Sequence, residues 1–238
     1  MHILSLQHHP AEHAGEFRRF LKEDGHQLTA VQLDQGEALP SLDDFDALWV
    51  LGGPMDVWQE DQFPWLADEK AYIREAVEER GMSYLGLCLG HQLLAEALGG
   101  TVGPGTPEIG VLDVHMTDIG ASGIFLDGLP ETFPALQWHS AEIKMMPAGA
   151  RCLATTDACP VQAMQWGTRA YAVQFHLEVE HDTFTNWSAI DEYAAALKES
   201  LGESGAATFE TDCAANLKTF NTMAERVYIN WMQTTAKT

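Results

Sequence analysis

The chain has 238 residues, of which 46% are hydrophobic and 20% charged, so it is long enough to bury a substantial core. Its 35 acidic residues against 13 basic ones give a formal net charge of −22. This charge argues against binding to nucleic acid, and we interpret the acidic residues as part of a solvated surface. No apolar run reaches the roughly 20 residues that span a bilayer, and residues 1–6 do not resemble a signal peptide. We therefore predict a cytoplasmic protein with no membrane partner.

The first part of the chain alternates strand-like and helix-like segments. Short apolar runs predict strands, and periodic segments that end before glycine predict helices. The predicted strands are 1–6, 27–33, 47–51 and 82–87, and the predicted helices are 12–23, 64–80 and 93–98. This alternation predicts an α/β fold with a mainly parallel central sheet flanked by helices, whose ligands bind beyond the carboxyl ends of the strands.

The second part of the chain has a different character. Helical periodicity disappears over residues 110–173, where short β-like runs between Gly and Pro turns predict a smaller antiparallel or mixed β region. Two helix-like stretches follow, at 182–201 and 208–233. We predict one α/β domain over residues 1–181 and a C-terminal helical extension over 182–238, whose aromatic residues pack on the domain or, as the less favoured alternative, face a partner.

Cys88 lies at the predicted turn between a strand and a helix. Glycines at 86 and 90 allow a tight turn there, and a helix N-terminus favours negative charge on the sulfur. This is the pattern of a nucleophile elbow, although a buried structural cysteine is the alternative. The other three cysteines are scattered, without the spacing of a zinc site or a disulfide scaffold. We predict no metal and no cofactor.

Two further segments can complete a catalytic site. His176 and Glu178 follow an alternating stretch, and in an extended segment residues i and i+2 point to the same side. They can therefore serve as a base and the carboxylate that orients it. The apolar strand 47–51 runs into Gly52-Gly53-Pro54, a turn that exposes backbone amides. The amides of Gly53 and Leu89 can together stabilise an oxyanion.

These three segments resemble motifs of the class I (triad) glutamine amidotransferases, most closely the glutaminase domain of GMP synthase and its free-standing relatives. Residues 88–92 are similar to the family's C-x-G-x-Q elbow, residues 52–54 to its oxyanion turn and residues 174–178 to its Q-F-H-x-E segment. The resemblance covers about residues 1–180 and implies the flavodoxin-like fold of that family. It also implies that Cys88 attacks a γ-glutamyl amide to form a thioester, with His176 as general base and acid and Glu178 behind it.

The resemblance extends less closely to other residues. It implies that Gln92 holds the amino-acid end of the substrate, and that Trp138 and His139 fall where relatives carry a Ser-His segment. Trp138 replaces that serine, so direct substrate contact and a role as pocket wall both remain open. Leu177 stands where relatives commonly have proline between the histidine and the glutamate.

Two enzymatic hypotheses follow. The chain carries no synthetase module or phosphate-binding motif, so it is either a free-standing hydrolase of a small-molecule γ-glutamyl compound, which we favour, or the glutaminase subunit of a synthetase partner. Two other classes are kept as alternatives. One is a non-catalytic protein that binds a γ-glutamyl metabolite, and the other is a cysteine-elbow protein of the stress-protease and chaperone type.

Overall fold

A computed structural model describes residues 1–235, so the last three residues of the predicted C-terminal extension, 236–238, lie outside the described residues. The described chain contains one nine-stranded sheet. Its strands are β1 His2–Gln7, β2 Gln27–Gln32, β3 Ala47–Val50, β4 Ser83–Leu87, β5 Thr101–Met116, β6 Thr132–Met145, β7 Arg151–Thr155, β8 Ala163–Trp166 and β9 Ala170–Val173. They follow the order β2-β1-β3-β4-β9-β8-β7-β5-β6 across the sheet.

The sheet has a parallel half and an antiparallel half. Strands β2, β1, β3, β4 and β9 pair in parallel, and the remaining neighbours pair antiparallel. Every residue of β3, β4 and β9 is buried, as expected for parallel strands covered on both faces. The predicted α/β class, with its smaller antiparallel region, is confirmed.

Helices cover both faces of the parallel half. They are α1 Phe17–Glu23, α2 Trp65–Arg74, α3 Leu89–Ala97, α4 Asp118–Ser122, α5 Thr183–Ser188 and α6 Asp191–Thr235, and α2 continues into a π-helical turn over Glu75–Glu79. Side chains of α1 and α6 share one core with the sheet, and those of α2 and α3 share the other. At the centre of the first core, Trp231 packs edge-on against Trp49 and donates from Nε1 to the Tyr84 carbonyl at 3.0 Å. None of the helices in this described part is long and apolar enough to cross a membrane.

Two predicted helix starts were wrong. The helix predicted from residue 12 begins at Phe17. Gly15 has a φ of +46°, which is not helical, and the Glu16 N–H donates to the Glu178 carbonyl at 2.7 Å. The chain before Phe17 therefore contacts a distant segment and does not form a helix. The helix predicted from residue 93 begins at Leu89, directly after Cys88.

The C-terminal part also differs from its prediction. Instead of one helix over 182–201, α5 ends at Ser188 and α6 begins at Asp191. The break predicted over 202–205 is present at Gly202, whose φ of 65° and ψ of −179° are not helical, so α6 consists of two helical segments that meet at a kink. In addition, the short helix α4 lies in the region predicted to be free of helices.

Candidate active site

Cys88 occupies a sharp turn between β4 and α3. Its φ of 50° and ψ of −102° make it the one non-glycine residue with positive φ in the stretch from 1 to 235. Such a backbone conformation costs about 1–3 kcal/mol and persists only where neighbouring structure holds it. The Cys88 N–H donates to the Val173 carbonyl at 2.8 Å, which ties the turn to the end of β9.

The two glycines beside Cys88 allow the turn to pack this closely. A Cβ on Gly86 would lie 2.6 Å from the Gly90 carbonyl oxygen, and a Cβ on Gly90 would lie 2.7 Å from the Val50 carbonyl carbon. Helix α3 therefore starts directly against the ends of β3 and β4. This agrees with the elbow predicted from the sequence.

His176 and Glu178 are held together after the end of β9. A pair of backbone hydrogen bonds links His176 to Leu136 of β6, at 2.9 and 3.2 Å. The His176 Nδ1 lies 2.6 Å from Glu178 Oε1, and both side chains are buried. The Leu177 N–H donates to Glu178 Oε2 at 3.0 Å. Proline has no N–H, so Leu177 supplies a bond that the proline expected from the resemblance could not make.

The surroundings of His176 favour its charged form. Burial lowers the pKa of His176, but the Glu178 carboxylate and the hydrogen bond to Cys88 outweigh burial and hold the pKa well above its usual value. The Trp187 ring contacts the imidazole edge-on, with the ring centroids 4.6 Å apart. A stabilised imidazolium beside Cys88 is the arrangement that supports a thiolate nucleophile.

The turn at Gly52-Gly53 faces the same cavity as Cys88. Gly53 and Leu89 both line this cavity, and neither backbone N–H donates to an acceptor in the described chain. His8 fixes the turn, since its Nδ1 lies 2.8 Å from the Gly52 carbonyl and its Nε2 lies 2.9 Å from Glu69 Oε1. Burial lowers the pKa of His8, but the Glu69 carboxylate outweighs burial and the net pKa is raised.

Gln92 and Gln174 connect the elbow to the segment that carries the base. Gln92 lines the cavity, and its Nε2 donates to Gln174 Oε1 at 3.0 Å. Gln174 Nε2 in turn lies 3.4 Å from Cys88 Sγ. The sequence assigned no role to Gln174, although it belongs to the recognised 174–178 segment. The Gln92 amide is thus already engaged by Gln174, and its contact with a substrate stays a prediction.

Trp138 and His139 form part of the cavity wall. Trp138 is 3% exposed and packs among aromatic rings of α5 and α6, namely Phe184, Trp187, Tyr193 and Phe209. His139 Nδ1 lies 3.1 Å from the Ala141 carbonyl, and its Nε2 lies 3.1 Å from Glu108 Oε2. Both residues are thus extensively engaged with protein groups.

One cluster next to the cavity has the residue types of a metal site. The candidate ligand atoms of Glu108, His139 and Cys159 lie within 4.8 Å of one another. The Glu108 carboxylate, however, already accepts from Gln162 Nε2 at 2.7 Å and faces His139. Burial raises the pKa of Cys159 to about 12, and its Sγ lies 3.6 Å from the Val161 carbonyl oxygen. Gln162, Glu108 and His139 thus form a buried hydrogen-bond network beside this thiol.

The cavity has a volume of about 660 Å³ and extends from Cys88 to the start of α6. Three carboxylates line it, and we call them the acidic rim: Asp56, Glu192 and Glu199. Burial raises the pKa of Asp56. No lysine or arginine of the described chain lines the cavity. Sequence patterns gave no indication that α6 contributes to this site.

Comparisons with known proteins point to one family. The family model "Glutamine amidotransferase class-I" matches residues 15–189. The glutamine-hydrolysing GMP synthase of Aeropyrum pernix is 38% identical over 170 residues, which are 68% of this chain and 30% of that protein. A subunit of the glutamine-hydrolysing GMP synthase of Sulfolobus acidocaldarius is 34% identical over 156 residues, which are 65% of this chain and 78% of that protein. The crystal structure of a glutamine amidotransferase from Methylobacillus flagellatus has a TM-score of 0.87 at 26% identity and covers 99% of this chain and 96% of that chain.

Proposed function

The chain belongs to the class I glutamine amidotransferase family, and from that premise we propose that it hydrolyses the side-chain amide of glutamine or of another γ-glutamyl compound. One observation carries the proposal. Cys88, with its strained backbone, lines one cavity together with Gly53 and Leu89, whose N–H groups have no acceptor in the described chain, and the buried His176–Glu178 pair lies beside Cys88. These are the groups that covalent hydrolysis of an amide requires.

Each group has a defined step in the proposed reaction. His176 takes the proton of the Cys88 thiol, and the sulfur attacks the amide carbon. The N–H groups of Gly53 and Leu89 stabilise the oxyanion of the tetrahedral intermediate. When the C–N bond breaks, His176 donates its proton to the leaving ammonia or amine, which leaves a γ-glutamyl thioester. Water deprotonated by His176 then releases glutamate, while Glu178 holds the imidazole in place throughout.

The cavity supports a free-standing hydrolase that accepts γ-glutamyl amides larger than glutamine. Its volume of about 660 Å³ lies within the range of sites that bind drug-sized ligands. Space beyond the scissile amide can therefore hold a substituted amine as leaving group. The substrate in this proposal is a small molecule, and the chain needs no second active site to complete the reaction.

A second candidate is a glutaminase subunit that supplies ammonia to a synthetase partner. The similarity to the GMP synthase subunit of S. acidocaldarius favours this alternative, since that relative's name describes one subunit of a glutamine-hydrolysing synthase. In this case, glutamine is the substrate and turnover depends on the partner.

A hydrolysis assay tests the proposal. The purified protein is incubated with glutamine and with a panel of γ-glutamyl amides, and released ammonia or amine is measured beside Cys88→Ala. We expect release by the parent protein and none by the variant. Equal release by the variant, or no release from any substrate, contradicts the hydrolase proposal, and the second result favours a protein that only binds γ-glutamyl metabolites. Release of ammonia that needs a co-purified synthetase identifies the second candidate.

A further inference from the structure

A buried carboxyl group lies between the catalytic pair and the C-terminal helix. Glu12, in the segment before α1, is 2% exposed. Its Oε1 accepts a hydrogen bond from the hydroxyl of Tyr193. Tyr193 is the third residue of α6 and lines the cavity, whereas Glu12 does not reach the cavity. The hydrogen bond therefore joins two segments that are 181 positions apart in the sequence.

The same carboxyl group supports the oxyanion turn. A Cβ built on Gly52 would clash with Glu12 Oε2, so the carboxyl occupies the space that a side chain at position 52 would fill. On the other side of the turn, His8 contacts the Gly52 carbonyl. Gly52 thus contacts both Glu12 and His8, and these contacts restrain the turn that carries Gly53.

Glu12 also lies within the electric field of the catalytic pair. The titratable groups that face it are His176 and Glu178 after β9, Tyr193 on α6 and His8 after β1. Burial raises the pKa of Glu12, and Glu178 adds to this increase. The charges of His176 and His8 and the Tyr193 hydrogen bond act in the opposite direction without outweighing burial, so the net pKa of Glu12 is raised.

We propose that Glu12 and Tyr193 are positioning residues of this active site. Their hydrogen bond fixes the start of α6 against the oxyanion turn and keeps a second carboxylate near the His176 imidazolium. The inference rests on the proposed roles of Cys88 and His176 as nucleophile and base. The first turn of α6, which carries Tyr193, would then help to position the groups that carry out the proposed reaction.

The charge effect has a definite sign. A carboxylate near His176 stabilises the imidazolium, so its loss lowers the pH at which His176 becomes neutral. Glu12→Gln removes the charge directly. Tyr193→Phe removes the donor that favours the Glu12 carboxylate and so shifts Glu12 toward its neutral form. Both variants should therefore move the alkaline limb of any His176-dependent reaction toward lower pH.

The test uses the alkylation of Cys88 by iodoacetamide, followed as a function of pH, because this reaction needs no substrate. In Glu12→Gln we expect the alkaline inflection to fall by about one pH unit, and in Tyr193→Phe we expect a smaller shift in the same direction. Tyr228→Phe is the matched control, since this tyrosine lies in α6 beyond the Gly202 kink and its hydroxyl donates to Asp24 Oδ2 at 2.8 Å, away from the cavity. It should leave the inflection unchanged.

Steady-state kinetics on a γ-glutamyl amide give the second measurement. Glu12→Gln should lower kcat about tenfold with KM within about twofold, since Glu12 does not line the cavity. The double variant with Tyr193→Phe should be no slower than the slower single variant, because both changes break one interaction.

An unchanged inflection in both single variants, or additive losses in the double variant, overturns the inference. Tyr193→Phe keeps the ring and provides the test if Glu12→Gln does not fold. If the parent protein hydrolyses none of the amides but the alkylation profiles shift as described, the proposed function fails and the positioning role stands.

Discussion

Replacing Gly90 with alanine should show how much of the site depends on close backbone packing at the elbow. In an ordinary helix this change stabilises by up to about 1 kcal/mol. Here the new Cβ would lie 2.7 Å from the Val50 carbonyl carbon and closer still to its oxygen, whereas ordinary contacts begin at 3.4 Å. Overpacking of this kind costs about 1–3 kcal/mol, and weakening the 3.1 Å bond from the Gly90 N–H to the Leu51 carbonyl adds about 1 kcal/mol.

The clash therefore outweighs the gain in helix propensity. We expect Gly90→Ala to lower stability by about 1–3 kcal/mol, which corresponds to a Tm decrease of about 5 °C for a chain of this size. A displacement of the elbow by about 1 Å should also reduce kcat about 100-fold. Thermal unfolding and the amine-release assay measure the two effects.

Gly103→Ala is the control, because its Cβ would meet only the flexible Lys144 side chain, at 3.4 Å. That variant should stay within about 0.5 kcal/mol of the parent. If Gly90→Ala keeps the parent's Tm and kcat, the elbow is not held by the contact between α3 and β3, and this explanation is refuted.

Three further experiments test the chemistry of the cavity. An electrophilic glutamine analogue should modify Cys88 alone, because burial raises the pKa of the other three cysteines, to about 12 for Cys159 and Cys213. Peptide mapping by mass spectrometry locates the label. A label on another cysteine would mean that Cys88 is not the nucleophile. Glu178→Gln should retain more turnover than His176→Ala, because it orients the base without transferring the proton, and parental kcat in Glu178→Gln would remove it from the triad. Amides with a cationic leaving group should have a higher kcat/KM than amides with an anionic leaving group of equal length, because the acidic rim attracts the cation. Added salt should reduce this difference in kcat/KM. A higher kcat/KM for the anionic amides contradicts the role of the acidic rim.

The parts of the site that could be predicted from the sequence are those set by short-range patterns. Cys88 and Gly53 were recognised because each lies at a turn just after an apolar strand, and the spacing of His176 and Glu178 fits an extended segment. Each of these inferences needed only a few neighbouring residues. The triad geometry in the structure is consistent with them, while their catalytic roles stay predictions until turnover is measured.

The residues that were missed act through contacts that no local pattern reveals. Glu12 was placed on a helix, where a charged residue near the N-terminus is ordinary, but it lies in the preceding turn and contacts Tyr193 from the other end of the chain. His8 gave no indication of its contact with Gly52 and Glu69, since histidines are frequent in this sequence. Finding such groups requires the packing of α1 and α6 on the sheet.

Strand register explains why the proposed catalytic groups meet. In the parallel half of the sheet, Val50 pairs with Gly86, and Leu87 pairs with Val173. The chain therefore leaves β3, β4 and β9 at one edge, where the oxyanion turn, Cys88 and the segment with His176 follow within a few residues. The antiparallel strands between β4 and β9 join the sheet beyond β9 and do not separate these ends. The geometry of the proposed site thus depends on the pairing of β9 with β4, whereas the first turn of α6 completes the cavity from outside the sheet.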